Sequence, residues 1–218
     1  MFIVSGGVTF PIGDWSKRYQ FGFPVGGDIL FKLKNNLIFG VSAHYLFGES
    51  TREQELLSNI FPIFSGDGQL PAMDVGFRAL IVRATFGGVV RIFPKANRNS
   101  GLLFLAGVGY GEHQTRIATT GGLIPQLGPD YLKGYDRYSN GLFLSQFLGY
   151  LHLSNSRRIN FYAGIEWGQF LATPRRGWQY DIGPVPQVMG NDMTLGLRMG
   201  WIFPAYKRTK YRYIEFRD

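Results

Sequence analysis

The chain has 218 residues, of which 17% are charged and 16% aromatic, with 30 glycines and a formal net charge of +8. Mean hydropathy is -0.05, and no stretch approaches the roughly 18 uninterrupted apolar residues of a membrane-crossing helix. The charged share lies well below the roughly 25% of ordinary soluble domains. The absence of cysteine excludes disulfides and thiolate metal sites. A positive balance points to nucleic acid or an anionic surface, but the basic residues sit at turns and in the tail and form no stripe, which argues against nucleic acid. An aromatic-rich, charge-poor chain without apolar helices has the composition of a transmembrane β-barrel, whose strands alternate lipid-facing and lumen-facing residues and so average to neutral.

Eight strands are predicted in chain order from period-two alternation. The first spans 2–10, with Phe2, Val4, Val8 and Phe10 on one face. The second spans 21–33, with Phe21, Phe23, Val25, Ile29, Phe31 and Leu33 opposite Asp28 and Lys32. The third, LIFGVSAHYLFG at 37–48, splits into an apolar file (Leu37, Phe39, Val41, Ala43, Tyr45, Phe47) and a small, mixed file that includes Ser42 and His44. The fourth, about 78–93, sets Leu80, Val82, Ala84, Phe86, Val90 and Ile92 against Arg83, Thr85 and Arg91. The fifth, about 101–115, sets Leu102, Phe104, Ala106, Val108 and Tyr110 against Leu103, Leu105, glycines and His113. The sixth, 140–153, is apolar on both faces and does not orient itself. The seventh, 159–171, sets Ile159, Phe161, Ala163, Ile165 and Trp167 against Tyr162 and Glu166, and the eighth, 192–203, sets Leu195, Leu197, Met199, Trp201 and Phe203 against Thr194 and Arg198. Each run is long enough for the roughly 9–11 tilted residues that cross hydrocarbon.

The connections alternate in length. KNN, PKANRNS and SNSRR are short and basic, whereas 11–20, about 49–76, 116–139 and 172–191 are long. Short turns at one end and long loops at the other are the pattern of outer-membrane barrels. The expected fold is therefore an all-β, eight-stranded, antiparallel up-and-down transmembrane barrel over 1–204, with short periplasmic turns, long extracellular loops and a basic-aromatic periplasmic tail at 205–218. Aromatics fall into two belts, as rings at a membrane interface do. The competing architecture is a soluble lipocalin-like lipid-binding barrel with the apolar file turned inward. That arrangement would put the other file in water, and this file carries glycine, serine and isolated charges, too little for a solvated surface. Met1 leads into FIVSGGVTF with no basic segment ahead of it, so an exported barrel implies numbering from at or near the mature terminus.

The predicted inward charges are Asp28, Lys32, Arg83, Arg91, Glu166 and Arg198, with His44, Gln146 and His152 beside them. An eight-stranded barrel is just wide enough to be filled by side chains, and buried charges must pair, so these residues are expected to form a structural polar plug. The other possibility is a lipid-modifying hydrolase at the outer rim, using Ser42 with His44 or Glu112 with His113. Neighbours on a strand face opposite ways, and neither pair has a nucleophile elbow or third partner. No enzyme, cofactor or metal site is expected: the three histidines are scattered without ligand spacing, and GVGYG at 107–111 lacks the strand-to-helix context of a dinucleotide loop.

The long loops are apolar for a free surface. Ser50 and Glu53 make a capping box ahead of Leu56, Leu57, Ile60 and Phe61 at helical spacing. Such loops either cap their own barrel or dock on other protein subunits. In the tail, Lys207, Arg208, Lys210, Tyr211, Arg212 and Tyr213 suit an anchor at an anionic interface or strand addition to a periplasmic partner. The remaining expected partner is outer-membrane lipid.

GVTFPIGDW at 7–15, FGFPVGGDILFKLKNNLIFGVSAHYLFG at 21–48 and GLRMGWIFPAYKRTKYRYIEF at 196–216 resemble small outer-membrane β-barrel proteins of the Bacteroidota, with the PorG-like barrel of the type IX secretion and gliding apparatus as the nearest group. The resemblance covers the two ends; the middle shares only strand rhythm, and the lack of a leader departs from the pattern. It implies an accessory, non-enzymatic outer-membrane component that contacts other machine subunits.

Overall fold

A computed structural model describes residues 1–49, 52, 56, 72–92, 100–120, 128–154 and 159–204. In chain order the strands are β1 (Phe2–Gly13), β2 (Phe23–Lys32), β3 (Leu37–Gly48), β4 (Ala72–Val90), β5 (Gly101–Thr120), β6 (Ser139–Leu153), β7 (Asn160–Pro174), the short hairpin β8 (Trp178–Gln179) and β9 (Gly183–Pro184), and β10 (Gly190–Phe203). A 3-10 turn covers Trp15–Lys17 and α1 covers Pro129–Leu132. All strands but β8 and β9 join in one closed antiparallel barrel, each paired with its neighbours in sequence, and β1 closes it on β10 from Phe2 opposite Phe203 to Gly13 opposite Asp192.

The alternation settles which face is which. Val41 is 54% exposed on the outer surface, whereas the next residue, Ser42, is 2% exposed inside. The apolar files of all eight barrel strands point outward, so the lipocalin arrangement is reversed here. In β6 the odd residues Phe143, Ser145 and Phe147 are buried in the lumen and Leu142 and Leu148 lie outside. Gln146 is exposed with the even file, and the His152 ring packs 5.2 Å from outward-facing Phe161; this corrects their assignment to the interior.

β4 starts at Ala72 and β5 ends at Thr120, well beyond the predicted limits near 78 and 115. The outward residues there change to Asp74, Arg78, Gln114 and Arg116, so the hydrophobic period stops while the backbone ladder continues. β1 likewise runs through Pro11. Thr9 exchanges both backbone bonds with Gly22 at 2.8 Å, and Pro11, two residues on, points its missing donor to the same side, where the β1–β2 ladder has already ended; proline removes no ladder bond there. At the opposite end the β2–β3 hairpin turns through Asn36 at φ 66°, a conformation asparagine accepts more readily than most residues.

The lumen is filled in three layers. Toward the short turns lies an apolar layer of Ile3, Leu30, Ile38, Val89, Leu103, Leu105, Phe147, Leu151 and Ile202. Toward the long loops lies an aromatic layer of Trp15, Tyr19, Phe77, Phe143 and Phe170. A charged layer separates them. The fold is thus a packed core inside a wall, with apolar side chains on both faces of that wall.

Candidate functional site

The charged layer is assembled from inward positions on six strands. Arg198 of β10 donates to both carboxylate oxygens of Asp28 on β2 at 2.6 and 2.8 Å, and to Glu166 on β7 at 2.9 Å. Arg83 of β4 meets Glu166 at 2.5 Å. The Tyr162 hydroxyl donates to Asp28 at 3.1 Å, and Ser5 lies 3.4 Å from the same oxygen. Each guanidinium also rests on rings, Arg198 at 5.4 Å from the centre of Tyr162 and Arg83 at 5.7 Å from Phe143. Gly107 makes the room: a Cβ there would lie 2.8 Å from Cδ of Arg83 and 2.5 Å from Oγ of Ser145. A cavity of about 30 Å³ bounded by His44, Arg83, Phe143, Glu166 and Arg198 has space for ordered water among these polar groups.

Asp28, Arg83, Glu166 and Arg198 therefore meet. Lys32 and Arg91 do not join them, which corrects the predicted set. Lys32 is at the last position of β2 and donates to the Asn36 side chain at 2.7 Å. Arg91 lies past the end of β4 and is exposed. Parity along the strand puts both in the inner file, but height along the barrel puts them at its rim.

His44 joins the layer through Ser5 and not through Ser42. Its Nε2 is 2.8 Å from Ser5 Oγ and 3.9 Å from Asp28, so hydroxyl and carboxylate approach the same nitrogen, while Ser42 bonds Thr85 at 2.9 Å. A serine–histidine relay needs the carboxylate on the nitrogen remote from the hydroxyl, and this site is closed off by the aromatic layer above. His113 has Nε2 3.2 Å from Asp192 and its ring against Trp15 and Phe170 at 4.9 and 5.5 Å. Glu112, on the outer face, accepts from Tyr138 at 2.7 Å. Neither pair named from the sequence, Ser42 with His44 or Glu112 with His113, is joined by a hydrogen bond.

The aromatic layer contains two residues that strand patterning does not reach. The 3-10 turn after β1 folds inward and puts Trp15 at 0% exposure against Tyr19, Phe77 and Phe170, and the Tyr19 hydroxyl lies 2.6 Å from Thr115 Oγ1. The signal available was a tryptophan directly after Gly13-Asp14 in an otherwise polar connection, an apolar anchor beside a turn.

Above the barrel two of the long connections form one lobe. Residues 128–138 and 175–189 are joined by a bidentate ion pair, Arg176 to Asp136 at 2.7 to 3.2 Å, and by Arg137 to Asp181 at 2.6 Å. The Asp136 bond holds the Arg176 guanidinium above its ordinary pKa. Arg137 takes φ 45°, which costs a non-glycine residue on the order of 1 kcal/mol; its ion pair and the bond from Thr115 N to Asp136 O at 2.7 Å hold it there. Tyr180 N donates to Gly134 O at 2.9 Å, and the Tyr180 ring packs on Tyr131 and Tyr135 at 5.2 and 5.4 Å. The lobe leaves Tyr131, Trp178, Ile182, Val188 and Met189 exposed, Val188 at 70%.

Of the predicted contact residues, Leu56 is 2% exposed, so it is covered by the protein itself and offers nothing to a partner; a correction follows for that position. Leu57, Ile60, Phe61, Lys207, Arg208, Lys210, Tyr211, Arg212 and Tyr213 lie outside the described residues, as do the capping box at Ser50 and Glu53 and the whole tail. Among the described residues no group of three or more histidine, aspartate or glutamate side chains is placed to hold a metal ion.

No protein-family model and no curated protein matches the chain. Among solved structures, it is similar to Ail, the attachment invasion locus protein of Yersinia pestis, in complex with the heparin analogue sucrose octasulfate, at 14% identity over 92% of this chain and 96% of that one, with a TM-score of 0.42. Neisserial surface protein A shows 11% identity over 93% and 97%, TM-score 0.42, and the transport unit of the autotransporter AIDA-I from Escherichia coli shows 12% over 93% and 89%, TM-score 0.36. Superposition this loose adds nothing to the geometry, and the functional reading rests on the chain's own residues.

Proposed function

We propose that this barrel resides in a bacterial outer membrane and serves there, without catalysis of its own, as a structural or accessory subunit of a larger assembly, docking other subunits through the lobe of 128–138 and 175–189. The apolar outer band supports the membrane placement. From Leu37 to Phe47 the outward file of β3 is apolar, with exposures of 39–54% at Leu37, Phe39, Val41, Tyr45 and Phe47. Ten residues at ~3.3 Å each, tilted about 40°, rise about 25 Å, the height of the apolar band of outer-membrane barrels. Phe31, Phe39, Phe86, Phe104, Trp201 and Phe203 stand near the turn end, and Phe23, Tyr45, Phe47, Tyr110 and Trp167 near the loop end, where interfacial rings belong.

The observation that carries the subunit role is the lobe itself. Paired arginines and tyrosine rings packed at a tilt hold its backbone, yet its outer surface is Trp178, Ile182, Val188 and Met189. A braced apolar surface of this kind marks an interaction site. The resemblance of the chain ends makes type IX secretion and gliding machinery the assembly to test first. A photo-crosslinking residue at Trp178 in native membranes should capture a distinct protein band, whereas the same residue at lipid-facing Leu197 should not. Equal capture at both positions, or migration of the native-extracted protein alone with no crosslink, would overturn the role; release from membranes without detergent would overturn the location.

A further inference from the structure

At the upper edge of the outer aromatic belt, on the face that the proposed function places in lipid, stand two arginines. Arg78 of β4 and Arg116 of β5 both point outward and are exposed. Arg78 is opposite Phe47 on one side and Gln114 on the other, and Arg116 is one step further toward the loops, opposite Gly76. Arg78 is therefore level with Phe47 and above Tyr45 and Tyr110, at the loop-side edge of the aromatic belt where headgroups lie, and Arg116 stands just beyond it. Gln114 braces the first arginine: with its amide oxygen turned toward Arg78, Nε and Nη2 donate to it at 2.7 and 2.8 Å. That contact fixes the guanidinium without neutralising it.

The wall between them is not flat. A cleft of about 240 Å³ is lined by Tyr45, Phe47, Glu49, Asp74, Arg78 and Arg116, and a second cleft of about 180 Å³ on the other side of Arg78 is lined by Tyr45, Glu112, Gln114 and Tyr138. Glu49 and Asp74 share the cleft with the arginines, but neither is within ion-pair distance of them among the described residues. Asp74 is opposite Ala118, further from the membrane, Glu112 is engaged by the Tyr138 hydroxyl at 2.7 Å, and no carboxylate among the described residues forms an ion pair with Arg78 or Arg116. At interface height an outward arginine costs little, and with neither guanidinium ion-paired among the described residues an anion at the same depth can reach both. Guanidinium groups grip phosphate oxygens in fixed, forked geometry, and the ring-lined walls suit the sugar or acyl portion beneath.

We propose that Arg78 and Arg116 form a binding site for the phosphorylated headgroup of an outer-leaflet lipid, seated in the clefts on either side of Arg78. The site fastens membrane lipid to the β3–β5 wall beneath the loops. It presupposes the membrane placement but not the subunit role.

The test is native mass spectrometry of the full chain in neutral detergent, titrated with bis-phosphorylated lipid A and, separately, with the same lipid stripped of phosphate. Unaltered protein should retain the phosphorylated lipid about tenfold more strongly, and R78Q/R116Q should lose that preference, while Lys34→Gln at the opposite rim should keep it. Equal retention of the two lipids by the unaltered protein would overturn the proposal whatever the variant does, so a variant that fails to fold does not shelter it. Displacement of the lipid by inorganic phosphate at equal concentration would also overturn it, because the site would then take free anion. Should the protein stay soluble without detergent, the membrane reading itself falls, a result distinct from any of these.

Discussion

The same bond, arginine to carboxylate, holds this molecule in two places, and the surroundings make it do different work. In the lumen, Arg83 and Arg198 face Asp28 and Glu166, with side chains 1–18% exposed and rings stacked over both guanidinium groups. In the lobe, Arg176 and Asp136 are 34% and 13% exposed, while Arg137 and Asp181 are 11% each. Inside the barrel two cations balance two anions, and no member can be removed without stranding a buried charge; the cost lies mostly in what is left behind. Of the lobe pairs, Arg176 with Asp136 reaches solvent, so a stranded partner there is hydrated and the pair fixes the path of a loop more than it stabilises the fold.

The largest expected effect is therefore in the lumen. Arg198→Met should lower the unfolding free energy by about 3–5 kcal/mol, read from reversible urea unfolding of the lipid-reconstituted barrel. It leaves Asp28 without its guanidinium and Glu166 with Arg83 alone. The paired change Arg198→Met with Asp28→Asn should recover much of the loss, since one charge of each sign is then gone. A single variant as stable as the parent would mean that the lumen charges are not coupled as their distances imply.

The aromatic layer comes next. Trp15→Ala opens a void among Tyr19, Phe77, His113 and Phe170, and large-to-small changes of this kind cost about 3 kcal/mol or more. Because Trp15 is carried by a connection and not by the wall, the barrel should keep its strand content by circular dichroism while amide exchange quickens at its loop end around Thr115 and Phe170; the charged and apolar layers below still close the lumen. Loss of the β signal would show that the inserted turn is part of the folding core.

How much of this could be read beforehand follows the same division. Wall residues announce themselves because burial alternates with period two, and β3 spans 37–48 in both readings. Asp28 and Glu166 are identifiable as inner-file residues by local parity alone. Lys32 and Arg91 share that parity but lie at strand ends, and height depends on how eight strands stagger against one another, which no single strand records. The lobe was harder still. Asp136 and Arg176 are 40 positions apart, in segments with no period, and their meeting depends on where β5, β6 and β7 release the chain. Trp15 escaped for a related reason: a loop residue that folds into a lumen leaves no alternation behind it.

The smallest effect should come from the lobe, and it separates the two regions most cleanly. Arg176→Ala removes a pair of which the arginine side chain is 34% exposed, so the change in global stability should be about 1 kcal/mol or less. Its consequence is local. Asp136 would lose its bidentate partner, and Arg137, held at φ 45°, would lose one of the constraints that keep it strained. Residues 128–138 and 175–189 should then be cut faster by trypsin in intact membranes, with the urea midpoint nearly unmoved, and crosslinking from Trp178 should weaken in step with the cutting. A fall in the midpoint as large as that of Arg198→Met would show that the lobe and the lumen unfold together. The braced surface would then belong to the barrel's core stability, and partner docking would need another explanation.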